Sequence, residues 1–267
     1  MRYVFLHYHL FKNAGTTLDS ALENQFGDSF ATVHDYGSDA IVTHDMMYKF
    51  LGENKNVIAI SSHHLHGQDY IPDVSCPIRF IKFVFIRNPI DRIRSIYNFY
   101  RKNPDNSPIS LLASSVSAVK FVEGLLEDHP QMIDNNQVSI LANRGFYARP
   151  VSEADLEVAW KKISSFSVCA PTERYDDAML AAEHFISPNF YPHRLNFASA
   201  HQNIMEGGLN MQQFKEQIGE LYGILVGINR FDRQLHEMSL AELERRLLLI
   251  PALETKRASF KERCHAF

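Results

Sequence analysis

The chain has 267 residues, is 45% hydrophobic and 12% aromatic, and sets 27 Lys and Arg against 31 Asp and Glu, for a formal net charge of −4 and a pI near 6.3. Such a chain can bury a sizeable core, and its acidic balance argues against a nucleic-acid partner or a broad polyanion-binding face. No apolar run approaches the ~18 residues of a membrane span. Cys76, Cys169 and Cys264 are too far apart for a disulfide framework or a zinc site, and no secretory signal follows Met1, so a reducing cytosol is expected.

The first element is an apolar, strand-like run that ends in His9-Leu10-Phe11-Lys12-Asn13-Ala14-Gly15-Thr16-Thr17, and Leu18 to Glu23 then reads as a helix. Ala14, Gly15, Thr16 and Thr17 carry little side-chain bulk, so backbone N–H groups there can approach an anion at a helix N-terminus. Lys12 adds a mobile full charge. The Lys leads its loop, whereas in a Walker P-loop it closes it, so the pattern speaks for an anion and not for an NTPase. His7 and His9 share one face of the strand and are expected to pack or shape the pocket.

A helical segment follows from Thr43 to Leu51, and a buried strand from Val57 to Ser61 runs into His63, His64, His66 and Gly67. No ligand spacing accompanies these histidines, so no metal is expected. The β-prone run Ile78 to Ile86 ends at Arg87-Asn88-Pro89, where Asn can cap a helix and Pro suits its first turn. Six Lys or Arg and one acid, Asp91, lie between Lys82 and Lys102, a local net of +5 in an acidic chain. Arg87 and Ser95 flank the strand-to-helix junction, where side chains and amides converge at the carboxyl end of a parallel sheet.

Beyond the breaker-rich stretch Lys102 to Pro108, helices are expected at Ile109 to Leu112, Ala118 to Leu126, Asn135 to Leu141, and from the capping box at Ser152 to Ile163. Ser165 to Ala170 reads as a further strand, with a helix from Asp176 to Phe185 behind it. This alternation predicts an α/β fold with a central, mainly parallel sheet flanked by helices, and a helix-rich C-terminal half. The chain is read as one domain over 1–267. Ser239-Leu240-Ala241-Glu242 looks like a second capping box opening a solvated helical extension over about 237–267.

The Lys12 loop and the Arg87 to Tyr97 segment together resemble the donor motifs of sulfotransferases that use 3′-phosphoadenosine 5′-phosphosulfate (PAPS). In that family the first motif is the 5′-phosphosulfate loop; in the second an Arg and a Ser eight positions later hold the 3′-phosphate, a spacing that Arg87 and Ser95 match. The likeness is nearest to the carbohydrate-type branch, which includes heparan sulfate 2-O-sulfotransferase, chondroitin sulfotransferases and bacterial relatives. It extends over about residues 3–236, through Thr172-Glu173-Arg174-Tyr175-Asp176 and a closing helix from Leu221 to Leu235.

The resemblance implies a P-loop-NTPase-like three-layer fold and transfer of a sulfuryl group to an acceptor hydroxyl, releasing 3′-phosphoadenosine 5′-phosphate (PAP) with no metal required. Lys12, Asn13, Ala14, Gly15, Thr16, Thr17, Arg87, Ser95 and Arg194 would bind the donor, with Lys12 also stabilising the leaving group. His63 inherits the place of the family's catalytic base, although Ser62 stands where a Gly is usual, and His64 and His66 stay open as alternatives. The acceptor is expected to be weakly charged, a carbohydrate or a small hydroxylated metabolite. Because the chain starts almost directly at the donor loop, a cytoplasmic bacterial enzyme is expected. Two other readings remain: a P-loop-like small-molecule or nucleotide kinase, and a non-catalytic nucleotide-binding domain.

Overall fold

A computed structural model describes residues 2–34, 41–70, 78–145, 149–190, 195–198 and 208–266. Five strands build one sheet in the order β2-β3-β1-β4-β5, with every pairing parallel: β1 (Arg2–Tyr8), β2 (Phe30–Thr32), β3 (Ala59–Ser62), β4 (Ile78–Ile86) and β5 (Val168–Pro171). Central β1 pairs with β4 along its whole length, from Arg2 opposite Ile78 to Tyr8 opposite Val84.

Period-two alternation divides these strands between two cores. Val4, Leu6, Tyr8, Val84 and Ile86 face one side, against α2 (His44–Glu53), α6 (Asn136–Asn143), α7 (Glu153–Ile163) and the first half of α11 (Arg230–Leu247). Phe5, Ile81, Phe83 and Phe85 face the other, against α1 (Gly15–Phe26), α8 (Tyr175–Ile186) and α12 (Leu253–His265). The result is a three-layer α/β fold of the P-loop-like type. A third apolar cluster joins α3 (Pro89–Lys102), α4 (Pro108–Ser115), α5 (Ala118–Asp128), α9 (Met211–Ile218) and α10 (Leu221–Ile228) beyond the sheet. Among the described residues no helix is long and apolar enough to cross a membrane.

Four expectations change. The helix after the Lys12 loop begins at Gly15, not Leu18, so Thr16 and Thr17 belong to its first turn. The segment from Leu221 to Leu235 is two helices, which part at Asn229. Asn229 Nδ2 donates to Leu225 O (2.9 Å) while its Oδ1 accepts from the Asn135 amide (3.3 Å), and Asn135 Oδ1 accepts from the amides of Phe231 and Asp232 (2.8 and 3.0 Å). Asn229 thus closes α10 from its own C-cap, and Asn135 caps α11 from outside it.

Ser239, in turn, opens no new helix. It is fully buried inside α11, its hydroxyl donates back to His236 O (2.7 Å), and Glu242 is engaged by Arg245 and Arg246. Both halves of the apparent capping box are spent elsewhere. Nor is the C-terminal extension simply solvated, since Leu243, Leu247, Ile250 and Phe260 enter the core with α8. The short edge strand β2 and helix α9 were not foreseen.

Candidate functional site

The loop from β1 to α1 is held in an unusual shape. Lys12 and Ala14 both adopt left-handed backbone conformations, φ 64° and 59°, which cost a non-glycine residue about 1–2 kcal/mol each. Buried Asn13 between them supplies the anchor: its Nδ2 donates to Phe85 O (2.8 Å) and Gln137 Oε1 (2.6 Å), and its amide to Leu10 O (3.1 Å). Gly15 is dictated by space, because a Cβ there would fall 1.9 Å from His9 Nε2. Helix α1 then starts with no side-chain cap on its N-terminus and no acidic residue in its first turn. The first-turn amides lack intrahelical acceptors, and the positive end of the helix dipole faces the loop.

The second loop is tied to the first. Asn88 caps α3 by accepting from the amides of Ile90 and Asp91 (3.0 and 3.3 Å), with Pro89 at the first helical position. Arg87 Nη1 donates to Lys12 O (2.8 Å) and its Nε to Asp91 Oδ2 (2.7 Å), while Asp91 Oδ1 takes Arg94 Nε (2.9 Å). Burial pushes the Asp91 carboxyl up, but Arg87 and Arg94 outweigh it and leave it below its ordinary value. Gln137 clamps Arg87 from behind, accepting its N–H (2.9 Å) and donating to its C=O (2.8 Å).

Lys12 is half-buried, with Nζ 4.1 Å from the Phe99 ring centroid and no carboxylate partner among the described residues. Burial, and then the charge on Arg87, lower its pKa to about 8. These groups line one cavity of about 680 Å³, which holds Lys12, Ala14, Gly15, Thr16, Thr17, Arg87 and Ser95, with Thr172, Glu173 and Tyr175 also in its walls.

His63 lines the same cavity, whereas His64 and His66 do not. Its Nδ1 lies 2.7 Å from His9 O, and since a carbonyl only accepts, Nδ1 carries the proton and Nε2 keeps its lone pair. The ring centroids of His9 and His63 are 3.9 Å apart. One edge of His63 meets solvent, yet partial burial, followed by the neighbouring His9, lowers its pKa to about 4. His9 is itself held by Asp19, with Nδ1 2.9 Å from Oδ2, and His7 Nδ1 lies 2.7 Å from Oδ1. Burial alone would raise Asp19, but the two imidazole hydrogen bonds hold it far below the usual carboxylate range. His7, His9 and Asp19 bring their ligating atoms within 4.8 Å of one another, a donor set that suits a divalent cation and whose short contacts already satisfy both Nδ1 atoms.

Beneath the loops lies a buried polar brace. Asp232 accepts from the amides of Gln137 and Val138 (3.0 and 2.8 Å) and from Gln137 Nε2 (3.2 Å); burial raises its pKa against these bonds and the charge of Arg92. Arg92, almost fully buried, donates to Phe11 O and Met132 O (3.0 Å each). The basic block therefore splits: Arg87 and Arg94 line the cavity, Arg92 is structural, and Lys82 pairs with Asp69 at 2.8 Å.

Of the residues singled out in the sequence, Lys12, Ala14, Gly15, Thr16, Thr17, Arg87, Ser95 and His63 share this cavity, Asn13 stands behind it, and Arg194 lies outside the described residues. Sequence reasoning missed Asp19, Gln137, Phe99 and Asp232. Only Asp19 left a trace, as an acid one helical turn beyond the loop and on the way from a strand bearing two same-face histidines.

No protein-family model matches the chain. It is 33% identical over 104 residues to an uncharacterized protein of Archaeoglobus fulgidus, a match covering 39% of this chain and 41% of the relative. The chain thus spans about two fifths of the length of that curated relative.

Proposed function

We propose that the protein is a PAPS-dependent sulfotransferase acting on an acceptor hydroxyl. One observation carries the reading: a half-buried ammonium with no carboxylate partner among the described residues lines the same cavity as the uncapped N-terminus of α1 and is tied through its own carbonyl to a second cation, Arg87. Fixed dipoles and two cations of this kind stabilise a bound phosphate or phosphosulfate without reorganising. Ser95, nearly two turns into α3, lines the same cavity as Arg87 and supplies a hydroxyl for a second phosphate.

In the proposed step His63 Nε2 takes the proton of the acceptor alcohol as its oxygen forms a bond to the sulfur. The bond from sulfur to the bridging phosphate oxygen breaks, and its electron pair leaves with PAP. Lys12 and the first-turn amides of α1 meet the charge that grows on that oxygen. Arg87 and Ser95 orient the donor at a distance from the reacting atoms and contribute binding energy.

Titration with PAP and, separately, with ATP–Mg²⁺ tests the donor class. PAP should raise the melting temperature and bind saturably, while Arg87→Ala should abolish both effects. Preferential stabilisation by ATP–Mg²⁺ would instead favour a kinase, and PAP binding without sulfuryl transfer to any hydroxyl in a broad library would favour a binding domain.

A further inference from the structure

A second cavity, of about 490 Å³, shares His9, Phe11 and His63 with the first. Its remaining wall includes Tyr8, Leu10, Ile140 and the imidazoles of His64 and His66. Among the described residues none of its lining groups is Lys, Arg, Asp or Glu, whereas the neighbouring cavity contains Lys12, Arg87, Asp91, Arg94 and Glu173. The Tyr8 hydroxyl is already committed to Gln68 O at 2.8 Å.

We propose that this cavity receives the acceptor, and that the acceptor is a neutral, hydroxyl-bearing molecule with an apolar ring body. This rests on the sulfotransferase reading of the adjoining cavity. The charge contrast decides the class. A uronate or sulfate group entering here would lose water with no Lys or Arg among the described lining residues to replace it, a cost that anionic glycans avoid where Arg or Lys lines the groove. An apolar ring gains from contact with Leu10, Phe11 and Ile140, and the volume lies within the range of small-molecule pockets. His63, lining both cavities with Nδ1 tied to His9 O, offers Nε2 as a proton acceptor for a hydroxyl placed at their junction.

The test uses 2-naphthol and a heparosan hexasaccharide as probes, titrated calorimetrically into the full chain with and without PAP. The expected result is saturable binding of 2-naphthol, at least tenfold weaker in Ile140→Trp, with PAP affinity changed less than twofold. In the wild-type protein, naphthol ring protons should also show NOEs to the Ile140 and Leu10 methyl groups, which keeps the test independent of how the variant folds. Tighter binding of the hexasaccharide, or an absence of those NOEs at saturating probe, overturns the proposal. Naphthol binding at this cavity in a protein that ignores PAP leaves the pocket assignment standing and removes the sulfotransferase reading. PAP binding with no naphthol binding does the reverse.

Discussion

Arg87 Nη1 donates to the carbonyl oxygen of Lys12 across 2.8 Å, joining two loops that are 75 residues apart in the chain. The bond fixes the left-handed Lys12 backbone and places two like charges on one cavity wall, where each disfavours the other until an anion arrives. Lys12→Ala should therefore raise the melting temperature of the unliganded protein slightly, or leave it unchanged, while lowering kcat by about 10²–10³-fold. PAP affinity should weaken only partly, since Arg87 and the helix amides remain. Calorimetry and steady-state kinetics on the same variant check the split.

The pH profile should be broad on the acid side and narrow on the alkaline side. His63 stays neutral down to about 4 and Lys12 loses its charge near 8 in the free protein, so kcat/KM should fall below about 4 and above about 8. A bound phosphosulfate favours the charged ammonium, so the alkaline limb of kcat should lie at higher pH than that of kcat/KM. Identical alkaline limbs in the two profiles would remove Lys12 from contact with the donor.

Asp19 should make the fold acid-labile. Its folded-state pKa lies far below the ordinary 3.8, so its stabilising bonds to His7 and His9 are fully present above that value and are lost as the pH falls toward the folded value. His63 and His9 add to the trend, because an imidazole depressed below 6.5 in the fold favours the unfolded chain progressively as the pH falls beneath 6.5. Asp19→Asn should cost about 2 kcal/mol at neutral pH. Urea denaturation of the variant across pH 3–8 should show a shallower decline below pH 4 than the wild type.

Asp232 should matter as much as a residue of the cavity wall without touching it. Asp232→Ala strands the amides of Gln137 and Val138 and frees the side chain that clamps Arg87, at a cost of about 2–5 kcal/mol. PAP affinity should fall together with stability. Asp232→Asn, which keeps an acceptor, should lose less of both.

The sheet and the cavity between the Lys12 and Arg87 loops were legible because their signals are local. An apolar, strand-like run marked β1, a β-prone run marked β4, Asn88-Pro89 marked the start of α3, and small residues after Lys12 marked a close backbone approach. What escaped is long-range. Gln137 and Asp232 are polar residues on helices with nothing local to distinguish them, and their roles exist only through partners 50 and 95 residues away. The break at Asn229 escaped for the same reason, since Gly227, two residues before it, can stand inside a helix and the capping partner is Asn135. Ser239 misled in the opposite sense: Ser-x-x-Glu is a cap only where the preceding residues cannot continue the helix, and α11 runs straight through it.

The ammonium of Lys12, with no carboxylate partner among the described residues, also bears on how the protein is handled. Inorganic sulfate and phosphate are fragments of the proposed donor, and any solute that binds the folded form alone shifts the melting curve by mass action. A purification in phosphate buffer, or precipitation with ammonium sulfate, would then deliver a partly saturated protein that looks more robust and less responsive to PAP than it is. Zwitterionic buffers with chloride as the counterion give the cleaner baseline.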